Sequence, residues 1–364
     1  MCVKRTIALI LTLCITATLA GCSLFRKPEP KVGLFWANTL DNMGPVRTLL
    51  EEMLNTGQIS SVSRNADDDA ARQLRQITEA VEQGCNLLAV NPADPTDTQT
   101  LQQILTVAGE IPVVFFGNYG LGGMDVSLLA SHPNACFVGV EAGADGRAMG
   151  KQIGEYVLKN FDFVDRNGDT VVTYAMLSGD QSRTEIANRA RYAVEAADAV
   201  ITGGDCIALS YYDPTNRDKC QQAAGGEGTE KLGRQFMNSN LTAYNKENGN
   251  EIELVICTGD SLTEGAAAAL QAHGYEAGNL GTLPLFGYGM TDAMGKLLSS
   301  GAVVGTVEYD SKAAAEAIAT LLLEAYRGTP VLNKLAELTA DDRYYAYEEN
   351  PDILYVNYIS HSGR

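Results

Sequence analysis

Histidine, paired cysteines and positive charge are all scarce in this 364-residue chain. Its three histidines are His132, His273 and His361. None stands in a Ser/His/Asp or metal-ligand spacing, and His273 beside Gly274 fits a helix end, where a basic group meets the dipole. No G-x-G-x-x-G follows the first strand-like run and no P-loop occurs, so the motifs of nucleotide chemistry are missing. The expectation is a protein that is not an enzyme. No Cys-x-x-Cys pair exists, which excludes the usual zinc frames. Lys and Arg total 27 against 45 acidic residues, a formal charge of −18. Nucleic-acid binding rests on neutralising phosphates, so that partner is excluded, as is attraction to anionic lipid. Polybasic runs, heptad arrays and low-complexity tracts are also lacking.

What is there is a globular composition, 45% apolar and 20% charged, long enough for two lobes. Residues 1–22 read "MCVKRTIALILTLCITATLAGC", with a basic start at Lys4 and Arg5 and an apolar stretch from Thr6 to Ala20. That stretch is short for a membrane span and ends in small residues, the pattern of an export signal. Leu19-Ala20-Gly21-Cys22 resembles the lipobox of bacterial lipoproteins. The resemblance implies lipidation of Cys22 and anchoring on the outer face of the cell membrane. Residues 23–30 are polar and Pro-rich and read as a tether. Cys85, Cys136 and Cys257 lie in or beside apolar runs and read as buried small hydrophobes. Cys206 and Cys220 bracket a polar loop, where an exported chain can carry a disulfide.

From Lys31 onward, apolar strand-like runs alternate with amphipathic helical ones. "KVGLFWA", "CNLLAVN" and "IPVVFFGN" are strands of a first series; "TVVTYAML", "EIELVICTG", "LPLFGYG" and "VVGTV" belong to a second. A helix is predicted over "DDDAARQLRQITEAVEQG", its acidic first turn favoured by the macrodipole. Another follows Ser261, with Glu264 spaced as a capping box. A single late strand, "ILYVNYI", closes the chain. Such alternation specifies class α/β, and roughly ten strands are better divided between two doubly wound parallel-sheet lobes than held in one sheet. Ligands in these sheets bind outside the carboxyl ends of the strands. Polar groups gather there: Asp41 and Asn42, Asn91 and Asp94, then Arg183, Glu185 and Arg189. Such a mixture of carboxylate, amide and guanidinium suits a neutral polyhydroxylated ligand. Asp94, before Pro95, reads as a turn residue.

The pieces "VGLFWANTLDNM", "GCNLLAVNPADP", "FVGVEAGADG", "DRNGDTVVTYAMLSGD", "LFGYG" and "AVVGTVEYD" resemble the galactose/glucose-binding family of type I solute-binding components of ABC importers. The resemblance spans about residues 31–360. It implies the type I periplasmic binding protein fold, with lobes 31–138 plus 309–354 and 139–308 plus 355–364 joined by a three-stranded hinge. It implies a monomer that closes on a sugar and docks on a permease. Position by position, Asp41, Asn91 and Arg189 match sugar-bonding residues of the family. Arg183 and Glu185 replace a His and an Asp. Met43 replaces an aromatic that covers one sugar face, and Tyr211 or Tyr212 falls near a stacking Trp. Gly259, Gly289 and Tyr309 replace an Asn, an Asp and an Asn. The two glycines are expected to enlarge the pocket and weaken hexose binding, so a larger or less hydroxylated sugar, or a nucleoside, is expected. A protein that reports ligand to a chemoreceptor or kinase is the other functional reading.

The same resemblance implies a calcium loop in "DRNGDTVVTYAMLSGD". Asp165, Asn167 and Asp169 stand at positions 1, 3 and 5, the Val171 carbonyl at 7, Thr173 at 9, and Glu253 supplies the distant carboxylate. Thr170 occupies the position of the turn glycine. A β-branched residue disfavours positive φ, so a strained or altered turn is expected.

Overall fold

The computed structural model describes residues 27–38, 43–117, 124–202, 208–210, 220–249, 251–276 and 283–363. They build two sheets. The first has the order β12(Tyr344–Tyr347), β13(Asn350–Val356), β5(Ala135–Gly139), β4(Val113–Phe116), β3(Leu87–Val90), β1(Lys31–Trp36), β2(Ser60–Asn65). The second runs β14(Tyr358–Ser362), β11(Gly305–Tyr309), β10(Leu285–Tyr288), β9(Leu254–Cys257), β6(Val171–Ser178), β7(Ala208–Ser210), with β8(Cys220–Gln222) also on β6. Only β12–β13 and β11–β14 pair antiparallel among the described strands. Every residue of β3, β4 and β9 is buried, as strands covered on both faces must be.

Helices supply that cover. α1(Gly44–Thr56), α2(Ala70–Glu82), α3(Thr98–Ala108), α9(Ser311–Arg327) and α10(Val331–Leu338) belong to the first lobe. α4(Ala144–Val164), α5(Thr184–Thr202), α6(Glu230–Ala243), α7(Asp260–Ala272) and α8(Asp292–Ser300) belong to the second. Each sheet has an apolar cluster on either face. The chain passes between the lobes three times: between β5 and α4, at Asp310 between β11 and α9, and at Asn357 between β13 and β14. Asp310 caps α9, accepting from the Ala313 amide at 2.8 Å.

Several local expectations need correction. Asp67 and Asp68 take positive φ outside α2, and Asp69 is its N-cap, accepting from the Arg72 amide at 2.8 Å. A carboxylate bonds a free amide better from the cap than from within the turn. The Ser261–Glu264 capping box does not form: α7 begins at Asp260 after Gly259, and Glu264 accepts from Thr291 Oγ1 instead. The late strand is two strands, β13 and β14, in different sheets. α10 and β12 were not anticipated.

Candidate functional site

The C-terminal ends of β6, β9, β10 and β11 converge on one wall of the second lobe, and its centre is a buried charge. Arg189 of α5 is only 3% exposed. Its Nε donates to Asp145 Oδ2 at 2.7 Å, and its Nη1 to Glu227 Oε2 at 3.0 Å and to the Thr258 carbonyl at 2.5 Å. The guanidinium carbon lies 3.5 Å from the centre of the Tyr288 ring. A charge this deep persists because its donors and its π-face are both satisfied. Asp145 sits in the first turn of α4, where it also accepts from the Gly146 amide. The α4–α5 contact brings the pair together. A Cβ on Gly146 would lie 2.5 Å from the Arg189 carbonyl oxygen, and one on Gly150 2.3 Å from that of Ala193, so only glycine permits this approach.

Tyrosines extend the wall toward the crossings. Tyr288 and Tyr358 have ring centres 6.3 Å apart, and Tyr358 and Tyr309 5.9 Å. Burial pushes the Tyr288 hydroxyl above its usual range, against the pull of Arg189. Acidic groups cluster alongside. Asp260 opens α7, with Glu264, Glu227 and Glu308 near enough to raise its carboxyl electrostatically; burial and this company push it up to about 7. Glu308 pairs with His361 Nε2 at 2.6 Å.

The two pocket glycines do not leave empty space, which corrects the expectation of an enlarged site. A Cβ on Gly289, whose φ is +91°, would lie 2.1 Å from Asp260 Oδ2. A Cβ on Gly259 would lie 3.1 Å from the Glu227 carbonyl oxygen and 3.3 Å from its Oε2. The Asp260 carboxylate fills the first place, and the Glu227 backbone and side chain close on the second.

Of the other anticipated site residues, Arg183 and Glu185 bond each other at 2.6 Å on the exposed start of α5. Tyr309 lies at the end of β11, beside the Asp310 crossing. In the first lobe, Asn91 is buried and its amide bridges strand ends, accepting from the Ala37 amide and donating to the Phe116 carbonyl, both at 3.1 Å. Met43 does not cover a ligand face: it is 2% exposed and packs in the first lobe's core. Asp94 makes its turn, accepting from the Thr96 amide at 2.9 Å. Asp41, Asn42, Tyr211 and Tyr212 lie outside the described residues, as do Cys22 and the signal. Cys206 does too, so the anticipated bridge to Cys220 falls outside the described residues; Cys220 itself is a buried thiol that accepts from Gln181 Nε2 at 3.2 Å. Asp145, Glu227, Asp260, Tyr288 and Tyr358 were missed. Asp260 adjoins Gly259 and could have been found by asking what replaces the lost side chains. Glu227 has no such signal.

The 165–173 loop folds around Glu253. That carboxylate, wholly buried, accepts from the Arg166 amide at 2.7 Å and the Thr173 amide at 2.9 Å. Burial pushes its carboxyl up, against the pull of those amides. Asp165 accepts from the Gly168 and Thr170 amides, and Asp169 from that of Val171. Thr170 adopts φ +68°, so the turn keeps the left-handed shape despite its β-branch. The oxygen-only donors of Asp165, Asp169, Glu253 and the Val171 carbonyl suit a hard cation. Thr173 donates its hydroxyl to the Glu251 carbonyl, which leaves its oxygen lone pairs for a cation. Among the described residues no group of three or more His, Cys, Asp or Glu is gathered closely enough to hold a metal.

A family model described as the periplasmic binding protein domain matches residues 34–330. The D-galactose/methyl-galactoside binding periplasmic protein of Haemophilus influenzae is 24% identical over 320 residues, 87% of this chain and 88% of that one. A crystal structure from Mycobacterium smegmatis overlays with a TM-score of 0.62 at 17% identity, covering 92% of this chain and 91% of that one. An ABC transporter periplasmic solute binding protein from Actinobacillus succinogenes with bound D-allose gives 0.59 at 17% identity, over 92% and 98%. One from Bacillus halodurans with bound myo-inositol gives 0.56 at 20%, over 84% and 92%. Among the described residues no helix is long and apolar enough to cross a membrane. With two doubly wound sheets, three crossings and this match over most of its length, the chain belongs to the periplasmic binding protein domain family, and it is a binding protein rather than an enzyme.

Proposed function

We propose that this chain is the extracytoplasmic solute-binding component of an ABC importer, closing two lobes on a sugar or sugar-like ligand and held to the membrane through lipid on Cys22. The observation that supports this reading most is the polar wall at the strand ends. Arg189, its carboxylates and the tyrosines stand beside two of the three crossings, where a ligand touching both lobes would bias them toward closure. The curated relative binds a galactoside, and two of the structures hold allose and myo-inositol. A thermal-shift screen of sugars, polyols and nucleosides tests the reading. A bound ligand at a hundred times its Kd stabilises by about 2.7 kcal/mol, a clear rise in melting temperature. A screen in which nothing raises it would sink the proposal. Sub-micromolar binding of D-glucose or D-galactose would contradict the expected departure from simple hexoses. Cys22→Ala should move the protein from the membrane fraction to the soluble one.

We also propose calcium in the 165–173 loop, in a structural role. The support is the buried Glu253 carboxylate beneath three loop amides and the left-handed turn at Thr170. Asp165, Asn167, Asp169, Glu253 and the Val171 carbonyl would draw together to hold the ion, which would offset the mutual repulsion of the carboxylates. Calcium should raise the melting temperature by about 3–5 °C over EDTA. Equal values in the two buffers would count against the site.

A further inference from the structure

Resting on the solute-binding reading, we propose that Asp260 and Glu227 select the ligand, and that the ligand they select is a sugar or polyol carrying a protonated amino group. The first observation is steric. A side chain on Gly289 would collide with Asp260, at 2.1 Å from Oδ2 and 2.5 Å from Cγ, and one on Gly259 would sit tightly against Glu227, at 3.1 Å from its backbone carbonyl oxygen and 3.3 Å from Oε2. The wall therefore carries two acidic groups where small side chains give them room.

The second observation is the charge balance. Arg189 is the cation buried in this wall, and Asp145 and Glu227 both already bond it. Asp260, Glu264 and Glu308 remain; His361 pairs with Glu308, the neutral Thr291 hydroxyl donates to Glu264, and Lys296 shares the groove that Glu264 lines. Acidic groups outnumber basic ones here, and burial together with their crowding lifts the Asp260 carboxyl to about 7, so a cation beside it would favour its ionised form. The third observation is an orphan acceptor. Asp260 Oδ1 is buried and has no hydrogen-bond partner. A carboxylate only accepts, and an ammonium offers three donors and no lone pair. An ammonium next to Asp260 would satisfy the orphan oxygen and restore the charge balance in one contact. A hydroxyl would do only the first, and an acidic sugar would be repelled.

The test is calorimetric titration of the full chain with two matched series: D-glucosamine, D-glucose and D-glucuronate, and D-galactosamine, D-galactose and D-galacturonate. In at least one series the amine should bind about tenfold or more tighter than the neutral sugar, and the uronate should not bind. Asp260→Asn, nearly isosteric, should remove most of that preference. Glu227→Gln is the second variant, and thermal melts of both establish that they fold. Equal or tighter binding of the neutral sugar, or an amine preference that survives both variants, overturns the proposal and leaves the solute-binding reading standing. Absence of binding by any of the six, with a ligand of neither kind found in the wider screen, overturns both.

Discussion

Two residues of the second lobe show how cost and benefit divide at a single position. Arg189 is paired on two sides, so Arg189→Met should strand the buried Asp145 carboxylate and destabilise the fold by about 3–5 kcal/mol, read from denaturant midpoints. Arg189→Lys should not rescue it fully, because a single ammonium cannot serve Asp145, Glu227 and the Thr258 carbonyl while stacking on Tyr288. Asp260 behaves in the opposite sense. Its folded carboxyl is raised from 3.8 to about 7 by burial, with Glu264, Glu227 and Glu308 adding to it. Below pH about 4 the group is protonated in both folded and unfolded chains and imposes no penalty. Between pH about 4 and 7 the unfolded chain ionises freely while the folded protein holds the proton, so stability falls across that window and levels off above it. Asp260→Asn should therefore be more stable than the parent at pH 8, by about 1–2 kcal/mol after allowing for partial exposure, with the gap closing at pH 4. A gap that widens on acidification would refute this. The sequence named Arg189 but not its partners, because a guanidinium's type is visible in a string and the fold that surrounds it is not.

Elements were legible where periodicity is strong and hidden where packing decides. The fully apolar runs at β3, β4 and β9 announced buried parallel strands. By contrast, α10 has eight residues after Pro330 and β12 only four, lengths that form through docking rather than intrinsic preference. The α4–α5 contact is a third case. Gly146, Gly150 and Gly154 are spaced four apart and so share one face, a pattern visible in the sequence, but its meaning requires the facing helix. Gly150→Ala would drive a methyl to 2.3 Å from the Ala193 carbonyl oxygen and should destabilise by about 1–3 kcal/mol. Because the shift would also move Arg189, ligand affinity should fall with stability; a variant with native melting and affinity would remove this contact from the account.

At the scale of the molecule, the two-sheet architecture followed from counting strands, whereas the lining of the candidate site did not follow from resemblance alone. Gly259 and Gly289 looked like losses, and the folded chain refills both from positions elsewhere in the sequence. The three crossings make closure a motion of two bodies about few residues, and ligand should reduce the radius of gyration in solution scattering. They also impose an order of assembly. β13 lies between β5 and β12 in the first sheet, with Ile353 opposite Phe137, so a strand made early must wait for one made near the end of translation. β11 likewise waits for β14, paired from Tyr309↔Tyr358 to Gly305↔Ser362. Neither lobe can finish its sheet until the last strands have been made. An architecture that ties both lobes to those strands thus leaves each sheet open at one edge until synthesis is nearly complete.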